Sequence, residues 1–145
     1  RVAAARDGRP DVLTRTRPVN PTDDDVAGNY VLLSLAGGSV ACYEHLQRGS
    51  LRVAAGDEVR RGQVLARLGR SGVNSTGPHL HFHVSDAAST LDAQGRPYAL
   101  ESFSVLGRYP DVAEALRGSR WPAGAAPGRA AVLPATNTVL RFPTG

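Results

Sequence analysis

Four histidines hold most of the chemistry available to this sequence, and three of them alternate in Gly77-Pro78-His79-Leu80-His81-Phe82-His83-Val84. In an extended strand, alternate side chains share a face, so the imidazoles stand on one side and Leu80, Phe82 and Val84 on the other. One face is then core and the other is chemistry. A single histidine among apolar residues is usually a satisfied core residue, but three in strict alternation fit that role poorly. The fourth, His45, lies in a second strand-like run from Ser39 to Leu46.

Neutral imidazole is a zinc ligand at about 2.0–2.1 Å, and a catalytic zinc site typically has three protein ligands and water. Same-face neighbours on a strand lie about 6.6 Å apart, so His79 and His81 can address one ion and its water; His79 and His83, about 13 Å apart, cannot share one. His45 joins them if its strand runs alongside. Such a set offers an ion, a polarised water and imidazoles placed for proton transfer or oxyanion stabilisation. A phosphohistidine carrier with two facing histidines is a further use of the residues, and an unrelated histidine metal site completed by an acidic loop residue is another.

Several elements must position these groups. Asn29 to Ala36, Gly37-Gly38 and Ser39 to Leu46 read as a hairpin, the glycine pair supplying positive φ. In its second strand Ala41, Tyr43 and His45 fall on one face, so Tyr43 and His45 are expected to project together. Val40, Cys42, Glu44 and Leu46 take the other face. Short strands are expected from Val53 and over Val64 to Leu68, with a turn between them, and Gly69 to Pro78 is a loop feeding the histidine strand. Earlier, Asp11 to Arg17 has strand character, and Pro18 to Gly28 reads as an exposed loop. Its acidic triplet Asp23-Asp24-Asp25 lacks the spacing of a calcium loop. Later, Ser102 to Leu106 and Val139 to Phe142 read as strands and Asp111 to Arg117 as a brief helix. Trp121 to Arg129, rich in Pro, Gly and Ala, reads as a mobile stretch. The pattern is all-β.

Composition narrows the partners. At 145 residues, 41% hydrophobic and with 16 glycines, the chain suits one turn-rich globular domain with a real core. The net charge is +4 and all 17 basic residues are arginine. They are scattered among Gly, Ala and Asp and do not cluster with aromatics, which argues against a nucleic-acid surface and suits an anionic polymer. Cys42 is the sole cysteine, which excludes an intramolecular disulfide and a cysteine-rich zinc site and reads as a small core residue. No run approaches the roughly 18 apolar residues of a membrane span. The sequence has no Met, so Arg1 is expected not to be a translation start and the chain to be a processed or truncated piece.

Tyr43-Glu44-His45-Leu46, Gly56-Asp57-Glu58-Val59 with Arg61-Gly62-Gln63-Val64-Leu65, and Ser75-Thr76-Gly77-Pro78-His79-Leu80-His81-Phe82 resemble successive blocks of the LytM/lysostaphin-type zinc metallopeptidases. Gly28-Asn29-Tyr30-Val31 resembles the block before them. The likeness runs from about Gly28 to Val84. It implies a duplicated-hybrid-motif fold, an antiparallel β-sandwich or barrel-like domain, over residues 1–86, with residues 87–145 a C-terminal extension packing on or following it. It implies Zn2+ as cofactor, with His81 as a metal ligand, His79 assisting catalysis beside the metal and His45 stabilising the transition state. The activity implied is zinc-dependent endopeptidase hydrolysis of peptide bonds in bacterial cell-wall peptidoglycan, in the cell envelope, periplasmic or extracellular.

Two departures qualify the likeness. The family's His-x-x-x-Asp motif, source of its other two ligands, is not in this sequence, so the domain is expected to be incomplete at its N-terminus and inactive alone. Asp7, in an Asp-Gly turn, reads as a turn residue and not as a substitute. His83 stands where the family commonly has Glu, and it reads either as a group that supports the metal ligands or faces substrate, or as simple surface packing; Tyr43 is a candidate for the same supporting role. The alternative function is a non-catalytic cell-wall-binding or hydrolase-regulating module on the same scaffold. Gly56-Asp57 with Arg61-Gly62-Gln63-Val64-Leu65 also resembles biotinyl or lipoyl carriers, which attach their cofactor to Lys; this sequence has none.

Overall fold

A computed structural model of the chain describes residues 1–13, 20–73, 75, 77–89 and 92–143. Two compact units divide between Arg96 and Pro97, ten residues beyond the boundary expected at residue 86. The reason is hydrogen bonding after the histidine strand. Arg96 N–H donates to Val84 O (2.7 Å) and Asp86 N–H to Gln94 O (3.1 Å), tying this return stretch to the first unit.

The first unit is an antiparallel sheet of β1 (Val2–Arg6), β2 (Tyr30–Ser34), β3 (Val40–Glu44) and β4 (His81–Ser85), in that spatial order. β2 is interior and reads Tyr-Val-Leu-Leu-Ser because both of its faces are covered. Val31 and Leu33 pack with Val2, Ala41, Leu46 and Val53 on one face, and Leu32 packs with Val40 and Cys42 on the other. The β2–β3 connection is a 3-10 turn at Ala36–Gly38, where Gly37 (φ 75°) and Gly38 (φ 77°) take the left-handed conformation expected of them.

Several local expectations change. The acidic triplet opens a short helix, α1 (Asp23–Ala27), because Thr22 and Asp25 form a reciprocal capping box. The chain near Val53 and over Val64 to Leu68 forms no strand. It crosses the Val2 face with single bonds such as Arg52 N–H to Leu65 O (2.8 Å) and one bridge, Leu46 to Leu68. Its apolar residues Leu51, Val53, Val59 and Leu65 still cover that core. Of the Asp11 to Arg17 stretch, residues 14–17 lie outside those described.

The second unit is a separate antiparallel sheet in the order β6 (Ala123–Val132), β5 (Leu100–Arg108), β7 (Thr138–Arg141), with α2 (Val112–Leu116) capped by the Asp111 side chain. Of the stretch Trp121 to Arg129, expected to be mobile, residues 123–129 lie in β6, which pairs along β5 from Leu100 with Val132 to Gly107 with Ala123. Backbone pairing needs no large side chains, so small-residue composition does not prevent it.

One buried residue ties the sheet to the loops around the histidines. Asn29 is fully buried, and its side chain accepts from Arg9 N–H (2.8 Å) and donates to Arg9 O (2.8 Å) and Leu46 O (3.0 Å). Its own N–H donates to Ser71 Oγ (2.9 Å), whose hydroxyl donates to Leu46 O (2.8 Å). Asn29→Ala leaves the Arg9 N–H and the Leu46 carbonyl short of a partner in a buried site, and is expected to destabilise the protein by about 2–4 kcal/mol. The shift in urea midpoint at unchanged slope measures it.

Candidate metal centre

His45 lies one residue past β3 and adopts φ 61°, one of two positive-φ residues other than glycine among those described. This turn breaks the alternation of the strand. Tyr43 stays on the core face, opposite Phe82 in the ladder and 5.0 Å from it between ring centroids. His45 swings to the other side of the sheet, and Leu46 falls back into the Val2 core. The expectation that Tyr43 and His45 project together, with Leu46 on the Cys42 face, is therefore corrected. Tyr43 lines a shallow depression with Leu46, Leu65 and Leu80, away from the imidazoles.

The turn is held by the chain it meets. His45 N–H donates to Ala27 O (3.0 Å) and Leu46 N–H to Asn29 O (3.0 Å). The ring Nδ1 lies 2.6 Å from the Ser71 carbonyl oxygen. A carbonyl can only accept, so Nδ1 carries the proton and Nε2 presents a lone pair. Gly72 (φ 96°) passes over this ring; a β-carbon there would run into Val26 O and His45 Nδ1. His79 sits just before β4, and its Nδ1 donates in the same way to Gly77 O (2.8 Å), leaving its Nε2 available.

His81 opens β4, paired across the ladder with Glu44, and is exposed. The three rings converge: centroids of His45 and His79 are 4.7 Å apart and those of His45 and His81 are 5.7 Å apart. One ligand nitrogen from each lies within 4.8 Å of the others. His83 does not join them. It stands 5.5 Å from His81 between centroids and groups instead with Cys42 and Glu44.

Burial and the neighbouring imidazoles oppose protonation. Burial above all, then proximity to His79 and His81, pulls His45 down to about 4 despite its bond to Ser71 O. Burial and His79 lower His81, and burial and His81 lower His83. The His45 ring is 1% exposed, and its buried Nε2 has no hydrogen-bond partner. Neutral ring nitrogens gathered this closely fit a borderline-soft divalent cation such as zinc, which takes neutral imidazole as a ligand, and they leave the His45 Nε2 facing what such an ion would bind.

Asn29, Ser71 and Gly72 build this centre and were not singled out by residue type. Asn29 stood in a recognised block without an assigned task. A loop serine reveals nothing in sequence when its backbone carbonyl does the orienting.

The family model for Peptidase family M23 matches residues 1–93. Among solved structures, a mutant catalytic domain of the prophage-encoded M23 protein EnpA from Enterococcus faecalis is similar at 22% identity. The match covers 66% of this chain and 67% of that one, with a TM-score of 0.42.

Two predictions come from the His45 setting. In the metal-free protein, stability is expected to fall as pH drops from about 6.5 toward about 4. In that window the unfolded chain binds a proton at His45 that the folded site refuses, a difference on the order of 3 kcal/mol by linkage. Urea titrations across the window measure it, with His45→Gln giving a flatter profile. Gly72→Ala is expected to displace the ring and break the Nδ1–H bond to Ser71, read as loss of a downfield imidazole proton resonance.

Proposed function

The chain belongs to peptidase family M23, and from that premise we propose that it serves as a zinc-dependent endopeptidase domain acting on peptide bonds of bacterial peptidoglycan. The observation that carries this reading is the convergence of His45, His79 and His81, with the His45 Nε2 lone pair buried and unpartnered. In this reading His81 holds the ion, and His79 and His45 work beside it. A zinc ion held there supplies Lewis-acid polarisation of the scissile carbonyl and a more acidic water.

The protein's own groups then divide the proton work. His79, oriented by Gly77 O, accepts a proton at Nε2 as water attacks the carbonyl. His45 is locked with Nδ1–H on Ser71 O, so at rest its Nε2 is an acceptor. To stabilise a developing oxyanion it must first take a proton there. Negative charge arising nearby favours that protonation, so donation from Nε2 strengthens as the transition state forms. Exposed His81 leaves the centre open to a polymeric substrate. Peptidoglycan peptides as substrate, and a periplasmic or extracellular place in the cell envelope, belong to the same proposal, with a net charge of +4 suited to an anionic wall.

The test uses the full-length protein, with zinc content and peptidoglycan turnover measured together. His81→Ala is expected to lose both. His45→Ala is expected to keep the metal while hydrolysis falls by roughly 10²–10⁴-fold. Unchanged zinc content in His81→Ala overturns the ligand assignment. Peptidoglycan binding without zinc or turnover in the unmodified protein would replace this reading with that of a cell-wall-binding or regulatory module.

A further inference from the structure

Beside the three converging imidazoles lies a second group of different chemistry. Cys42 and Glu44 are same-face neighbours on β3, and His83 on β4 stands directly opposite Cys42 in the ladder. One ligand atom from each, the sulfur, a carboxylate oxygen and a ring nitrogen, lies within 4.8 Å of the others. Cys42 is fully buried and Glu44 is 2% exposed, while the His83 side chain is 29% exposed. A thiol, a carboxylate and an imidazole in one buried corner are an unusual packing choice, because apolar side chains fill such space without a desolvation penalty.

The imidazole and the carboxylate of the group stand too far apart for a good hydrogen bond. His83 Nδ1 is 3.8 Å from Glu44 Oε1, and this buried nitrogen has no hydrogen-bond partner. Cys42 Sγ makes only weak sulfur hydrogen bonds, with Ser85 Oγ at 3.6 Å and Val40 O at 4.0 Å. Two ligands of one tetrahedral zinc are separated by roughly 3.3–3.6 Å, given bond lengths of about 2.0–2.3 Å. Side-chain rotation has to draw the ligand atoms, which lie within 4.8 Å of one another, in to that spacing.

We propose that Cys42, Glu44 and His83 form a second divalent-metal site, of thiolate–carboxylate–imidazole character, which takes zinc or a similarly borderline-soft transition ion. One thiolate and one carboxylate neutralise a divalent charge, and the neutral imidazole adds a third bond without adding charge. On binding, the thiol proton passes to solvent and the sulfur pair bonds the metal. Entry is from the His83 side of β4, the edge strand of its sheet. The site is distinct from the His45, His79 and His81 group, which contains no sulfur, and it does not rest on the peptidase reading.

Cobalt(II) titration of the purified chain under reducing conditions tests it, because only a thiolate ligand produces the near-ultraviolet sulfur-to-cobalt charge-transfer band. Cys42 is the sole cysteine, so the band reports this site alone. The band is expected in the unmodified chain and in His81→Ala, with apparent affinity reduced tenfold or more in His83→Ala and in Glu44→Gln. If Glu44→Gln does not fold, His83→Ala, at a partly exposed position, decides. Absence of the band at saturating cobalt overturns the proposal. So does a band of unchanged affinity in His83→Ala, which would mark adventitious thiol binding, or a band that disappears in His81→Ala, which would merge the two groups. His81→Ala that loses hydrolysis yet keeps the band separates this site from the proposed catalytic one.

Discussion

The hydrogen bond from His45 Nδ1 to the Ser71 carbonyl is the interaction on which the centre depends. It decides the tautomer, and therefore that Nε2 arrives as a lone pair among the other imidazoles. The bond is possible only because Ser71 is itself held, its hydroxyl joining Asn29 N–H to Leu46 O. A buried amide, a buried hydroxyl and a backbone carbonyl thus form one closed polar network beneath the rings. Each member satisfies another, and this makes such a network stabilising as well as specific.

The left-handed turn at His45 is the geometric counterpart of that network. A regular strand would have sent His45 to the Val2 core with Tyr43. The φ of 61° sends it across the sheet and returns Leu46 to the core, so one residue outside the ladder serves both faces. Histidine adopts this region more readily than bulky or β-branched residues, and the turn's backbone donors are taken up by Ala27 and Asn29. Such local strain persists when surrounding contacts fix it from several sides.

Sheet alternation organises the rest. The same period that places Phe82 on Tyr43 places His81 opposite Glu44 and His83 opposite Cys42. Imidazoles, a carboxylate and a thiol are therefore gathered along one face near the open edge of the sheet, while the opposite face is closed by apolar residues of the irregular chain between Leu51 and Ala66. The two groups differ in the hardness and charge of their potential donors although His81 and His83 are neighbours.

Much of this was legible in the residues alone. The His-x-His-x-His alternation determined that the three rings of that stretch share a side, and the Gly37-Gly38 pair determined the hairpin that brings β3 alongside β2. Local rules could not place His45, because alternation holds only while the ladder continues, and the ladder ends at Glu44. Neither could they show that Ser71 and Gly72 lie over its ring, since those contacts span 26 residues or more and run through a backbone carbonyl and an absent β-carbon. The sequence determined which groups were available and which face the strand residues take; tertiary structure decided which nitrogens meet and in which tautomer, because both depend on long-range hydrogen bonds that no local pattern encodes.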